Sequence, residues 1–118
     1  MGLSMVPSVA DAVTAWPLAG ALNWLGRSGQ LYALMPVSLP HLSLNDDDLY
    51  VLTHDGKVLW VGGAVDVVGD SASRARFRWA LECADHAYSL EAEPGSVERL
   101  LMVWDLEAAE PVKGLCVA

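Results

Sequence analysis

Residues Leu49–Gly62, LYVLTHDGKVLWVG, restrict the fold of this chain more than any other stretch. The pair Asp55-Gly56 suits the two central positions of a type I′ turn, both of which need positive φ. The flanking arms, Leu49–Thr53 and Val58–Gly62, are rich in β-branched and aromatic residues, as strands are. A two-residue turn sets the register. It predicts that His54 faces Lys57, Leu52 faces Leu59, Val51 faces Trp60 and Tyr50 faces Val61. One face of the hairpin then carries Tyr50, Leu52, Leu59 and Val61. The other carries Leu49, Val51, Val58 and Trp60. Neither face is polar, so both need a cover: helix on one, and helix, partner chain or ligand on the other.

The rest of the chain supplies candidates for that cover. Ser8 caps a predicted helix that carries Val9, Val13 and Trp16, with Asp11 in a capping-box-like position. Pro17 restarts a second helical piece to Leu25, ending at Gly26. Gln30–Met35 reads as a strand, followed by a loop bracketed by Pro36 and Pro40. Asn45-Asp46-Asp47-Asp48 reads as a turn that feeds the hairpin, since the spacing and terminal Glu of a calcium loop are missing. Gly62-Gly63 ends the second arm. Asp70 then caps a helix to Tyr88, with Phe77, Ala80, Leu81, Ala84 and Tyr88 as its core stripe and Arg74, Arg78 and Glu82 on another face. Glu91–Ser96 is a loop with a Pro-Gly turn. Arg99–Leu106, apolar on alternate residues of both parities, reads as a central strand, and Glu107 opens a polar tail.

These elements define an α+β class: a small antiparallel sheet of about four strands, one main helix over 70–88, and N-terminal helices. At 118 residues the chain is expected to be one domain, with a helical segment at 8–26, a core at 30–106 and a tail at 107–118. That length buries roughly two thirds of the unfolded surface, so neither disulfide nor metal is needed to hold it.

Charge and cysteine usage exclude several functions. A net charge of −8 opposes unaided binding to nucleic acid, whose phosphates demand Lys and Arg, and opposes an anionic membrane surface. The uncharged run Ala12–Gly26 is interrupted by Pro17 and Asn23 and falls short of the roughly 20 residues of a spanning helix. No basic residue precedes Arg27, so no signal peptide is read. Two cysteines, Cys83 and Cys116, form no disulfide framework. A cytoplasmic, bacterial protein is the expectation.

Four groups of residues bear on chemistry. Cys83-x-x-His86, one helical turn apart, supplies half a metal site, but its other half must come from Cys116, His41 or His54, far away in sequence. No nucleophile elbow is present, and Cys83 with His86 is no recognised catalytic pair. The reading therefore assigns no catalytic residue, no metal and no cofactor. Arg74, Arg76 and Arg78 follow a predicted helix start and form the one concentrated positive charge, a candidate anion site. Finally, 53% hydrophobic residues against 19% charged ones leave apolar surface to spare. Trp16, Trp24, Tyr50, Trp60 and Trp104 are the candidate interaction surface.

Leu49-Tyr50-Val51 and Trp60-Val61-Gly62 also resemble the paired signature strands of GIY-YIG nuclease domains, and an arginine-bearing helix follows them as in that family. The resemblance spans about residues 49–81. It implies the element order strand, strand, helix, strand, with a metal-binding Glu on a later helix, for which Glu107 and Glu110 are the candidates downstream of 99–106. Leu49 stands where that family has its first Gly, and Trp60 where it has its second catalytic Tyr. The resemblance therefore implies a degenerate, inactive relative. The leading expectation is a non-enzymatic protein–protein interaction module, self-associating or docking on a larger assembly. The alternatives are a nucleic-acid enzyme of the GIY-YIG type or its inactive descendant, and a small-ligand binder that uses a Trp-lined sheet.

Overall fold

A computed structural model describes residues 21–112. The predicted helix over 8–16, Trp16, Pro17 and the last residues with Cys116 lie outside the described residues. Among the described residues, six strands and three helices follow in chain order: β1 (Leu22–Leu25), β2 (Leu31–Val37), β3 (Asp48–His54), β4 (Lys57–Gly62), α1 (Ala64–Gly69), α2 (Ser71–Cys83), β5 (His86–Glu91), α3 (Val97–Leu106) and β6 (Glu110–Pro111). The strands form one curled antiparallel sheet in the order β4-β3-β5-β2-β1-β6. The class is α+β as expected, but the sheet has six strands instead of about four.

The β3–β4 hairpin is where the sequence places it. Asp55 and Gly56 take φ of 51° and 78°, as a type I′ turn requires. His54 pairs with Lys57 and Thr53 with Val58. A bulge then makes Leu59 the extra residue, so that Leu52 faces Trp60, Val51 faces Val61 and Tyr50 faces Gly62. Beyond the bulge the predicted register is off by one. Because side chains alternate, this moves Trp60 to the face of Tyr50 and Leu52, and Val61 to the face of Leu49 and Val51.

Three further expectations are corrected. The helix capped by Asp70 ends at Cys83, and His86–Glu91 becomes β5, which lies between β3 and β2. Asp70 does cap, its carboxylate accepting from the amides of Ala72 at 2.9 Å and Ser73 at 3.3 Å. Leu22–Leu25 is a strand, not a helix, because each of its residues pairs with one of Leu31–Leu34 across the sheet. Arg99–Leu106 belongs to helix α3, not to a central strand. Its residues are apolar on every side, so period alone cannot tell helix from strand there. Two short elements went unread: α1 after Gly63, and β6, which pairs with β1.

Both faces of the hairpin are covered by the chain itself. Tyr50, Leu52, Trp60 and Ala87 pack with Phe77 and Ala80 of α2 and with the loop residues Leu39, Leu42 and Leu44. Leu49, Val51, Val61 and Tyr88 pack with Trp24, Tyr32 and Leu34 and with Met102, Val103 and Leu106 of α3. The sheet is thus clamped between α2 on one face and α3 on the other.

Candidate functional site

Helix α3 holds the most unusual surface. Ser96 starts it, its hydroxyl accepting from the Arg99 amide at 3.0 Å, and Glu98 sits favourably in the first turn. Met102, Val103 and Leu106 point into the core. Arg99 is buried beside them and donates to carbonyls instead of carboxylates: Ala92 at 2.8 Å, Asp48 at 3.3 Å and Asp46 at 3.4 Å. It thereby ties α3 to the turn that precedes β3. The opposite side of α3 should be polar if it met only water. Instead it carries Val97, Leu100, Leu101 and Trp104, which are 67%, 70%, 61% and 49% exposed. Their spacing of i, i+3, i+4 and i+7 is that of a helix face that packs on something.

A cavity of about 400 Å³ opens beside that face, between α3 and β2. Leu101, Met102, Trp104, Glu98 and Asp105 of α3 line it, with Tyr32 of β2 and Ser28 and Gln30 of the β1–β2 turn. Asp105 is buried and organises the wall. Its carboxylate accepts from the Ser28 amide at 2.6 Å, the Ser28 hydroxyl at 2.7 Å and the Tyr32 phenol at 2.7 Å. Burial pushes the Asp105 carboxyl up, but these hydrogen bonds, helped by nearby Arg27, hold it below the usual carboxylate range. Burial, then the hydrogen bond to Asp105 and its charge, push the Tyr32 phenol up to about 12. Tyr32 therefore stays a neutral donor and Asp105 an anion. A side chain at Gly26 would run into the Asp105 carboxylate, whose atoms lie 2.6–2.8 Å from where a Cβ would stand. At the rim, the Arg27 guanidinium lies over the Trp104 ring, 4.4 Å from its centroid.

The residues singled out from the sequence are scattered. Trp24, Tyr50 and Trp60 are core residues at 2–3% exposure, so they offer no surface; Trp104 alone of the described candidates is open to solvent. The Trp60 indole donates to the Ser73 hydroxyl at 3.2 Å, and the Tyr50 phenol accepts from the Asn45 amide at 3.1 Å. Arg74 is engaged within the chain, donating to the carbonyls of Val67 at 2.8 Å and Val68 at 3.2 Å at the end of α1. Arg76 and Arg78 are exposed on α2. Cys83 and His86 do not share a helix, since Cys83 ends α2 and His86 opens β5. His86 and His54 instead face Asp85, at 2.9 and 3.7 Å. Among the described residues no group of three or more His, Cys, Asp or Glu side chains is placed to hold a metal ion. No helix among them is long and apolar enough to cross a membrane.

A strand over 99–106 hides the α3 face and the Asp105 cavity from sequence reasoning. The available signal was Pro94-Gly95-Ser96, a turn followed by a helix-capping serine, then Glu98 in the first turn. Comparison of the chain with protein-family models, curated proteins and solved structures finds no significant match.

Proposed function

We propose that this chain is a non-enzymatic protein-interaction module and that the outward face of α3 is its docking surface. The observation that carries the reading is that α3 is apolar on both sides while, among the described residues, only one side is covered. Burying a Leu, Val or Trp side chain is worth roughly 1.5–3 kcal/mol. Four such side chains at helical spacing leave that stabilisation unused until a partner arrives. The test uses the full chain and the Leu100→Asp/Leu101→Asp variant side by side. Sedimentation at micromolar concentration reads self-association, and affinity capture from the source cell reads other partners. An association held by the native chain and lost by the variant is expected, with urea stability unchanged because both residues are exposed. The reading fails if the variant associates as the native chain does, or if neither assay shows any association.

A second reading, a degenerate nuclease-like domain, is supported by the element order. From β3 onward the chain runs strand, strand, the short helix α1, the longer helix α2, strand and a later helix, so α1 is an addition to that order; the later helix carries Glu98, and Glu107 and Glu110 follow its end. Hydrolysis of a phosphodiester needs stabilised negative charge and an oriented water. Trp60 is a donor only and cannot exchange a proton with that water. No magnesium- or manganese-dependent cleavage of DNA is expected. Cleavage that Tyr50→Phe abolishes would promote this reading over the first.

A further inference from the structure

We infer that the cavity between β2 and α3 receives a cationic side chain, Lys or Arg, from a partner segment whose apolar residues lie along Val97, Leu100, Leu101 and Trp104. This rests on the interaction-module reading and adds the chemistry of the partner to it. The cavity borders the apolar face directly, since Leu101 and Trp104 belong to both. A segment seated on α3 therefore places one neighbouring side chain at the cavity mouth.

The lining decides what that side chain is. It holds two carboxylates, Glu98 and Asp105, and no basic residue. Asp105 is ionised and well supplied with hydrogen-bond donors, yet those donors are neutral. Among the described residues no Lys, Arg or His lies within ion-pair distance of Asp105 or Glu98. Among the described residues the cation that acts on Asp105, Arg27, does so from beyond ion-pair distance and lies over the Trp104 ring at the rim. The site is therefore an anionic recess with an aromatic and apolar mouth. Such a recess suits a long side chain with an apolar stem and a charged head.

Charge also sorts the possible occupants. A second copy would bring Glu98 toward another chain of net −8. The apolar patch comprises four side chains of one helix, whereas each partner of a stable dimer contributes roughly 800 Å² from about 20–30 residues. Residues 1–20 carry a single charged side chain, Asp11, of the wrong sign. Val112, the last described residue, donates its amide to the Asn23 carbonyl, at the end of β1 away from the 26–30 turn. A basic and apolar partner segment is the occupant that meets both surfaces.

The experiment titrates the full chain with three probes in about 0.15 M salt. They are N-acetyl-arginine amide, a synthetic amphipathic helical peptide flanked by Lys and Arg, and the same peptide with Glu in their place. The Trp104 indole N–H signal, identified by its loss in Trp104→Phe, is followed by NMR. The arginine amide is expected to shift that signal at millimolar concentration, and the basic peptide to bind at least about tenfold tighter than the acidic one. Glu98→Gln should cut that preference to about threefold or less without weakening the acidic peptide. Leu101→Asp should weaken both peptides. Equal affinity for the two peptides, or a preference that survives Glu98→Gln, overturns the cation subsite while leaving the docking face standing. No binding by the basic peptide overturns the inference as well. If Leu101→Asp then dissolves a dimer, the occupant is a second copy; if instead it exposes amides of residues 1–20 to hydrogen exchange, the occupant is that segment.

Discussion

Replacing Asp105 tests the central joint of the α3 side. Asp105→Ala removes three hydrogen bonds to a charged acceptor, from Ser28 twice and from Tyr32. Such bonds are worth about 1.5–3 kcal/mol each when buried. Ser28 is exposed, so water takes over much of its share, whereas Tyr32 is 6% exposed and its phenol loses its partner. The loss is offset in part because a carboxylate no longer has to be desolvated. The net expectation is a destabilisation of about 2–4 kcal/mol for Asp105→Ala. Asp105→Asn should cost less, about 1–2 kcal/mol, because its carbonyl still accepts from Ser28 while its amide donates to the Tyr32 oxygen. Urea unfolding at pH 7 reads both. The pH dependence supplies the sign. The Asp105 carboxyl is held below its unfolded value, so its stabilisation is fully present above about pH 4 and is lost as pH falls through the lower folded value. The stability gap between the native chain and Asp105→Asn should therefore stay constant from pH 7 to about 5 and close in acid. A double-mutant cycle with Tyr32→Phe should return a coupling of about 1–2 kcal/mol. Asp105→Ala within about 0.5 kcal/mol of native, or a gap that persists unchanged to pH 3, would refute the reasoning.

Four more outcomes follow from the packing. Gly63→Ala should cost about 2–4 kcal/mol in urea unfolding, because the new Cβ meets the Arg99 guanidinium and, at 3.1 Å, the Asp48 carbonyl; combined with Arg99→Ala the two losses should be less than additive. Trp60→Phe should cost about 1 kcal/mol more than Trp24→Phe, since the Trp60 indole N–H bonds Ser73 whereas the buried Trp24 N–H has no partner among the described residues, and equal costs would contradict this. Asp70→Ala should lower stability by about 1 kcal/mol through loss of the α2 cap, with Asp70→Asn close to native. Arg74→Ala should cost about 1 kcal/mol through the α1 carbonyls it bonds, whereas Arg76→Ala and Arg78→Ala should leave the melting temperature unmoved.

Local chemistry alone determined several parts of this protein. Asp55-Gly56 specifies its own turn, because few other pairs tolerate two positive φ angles in succession, and alternation within β3 assigns Leu49 and Val51 to one core and Tyr50 and Leu52 to the other. Asp70 specifies the start of α2 through bonds that reach only two and three residues onward. Tertiary structure decided what depends on distant partners. The bulge at Leu59 exchanges the faces of Trp60 and Val61, and it exists only in the pairing with β3. Residues 86–88 leave the helical pattern and join 89–91 in β5 because strand edges on β3 and β2 are there to receive them. Leu22–Leu25 becomes a strand for the same reason, with β2 on one side and β6 on the other. The apolar run 99–106 has no single periodicity, so only packing against the sheet distinguishes its covered side from its open one. The candidate site depends on that distinction and on contacts some 73 to 77 residues apart in sequence, between Asp105 and Tyr32 and Ser28, which no local pattern encodes.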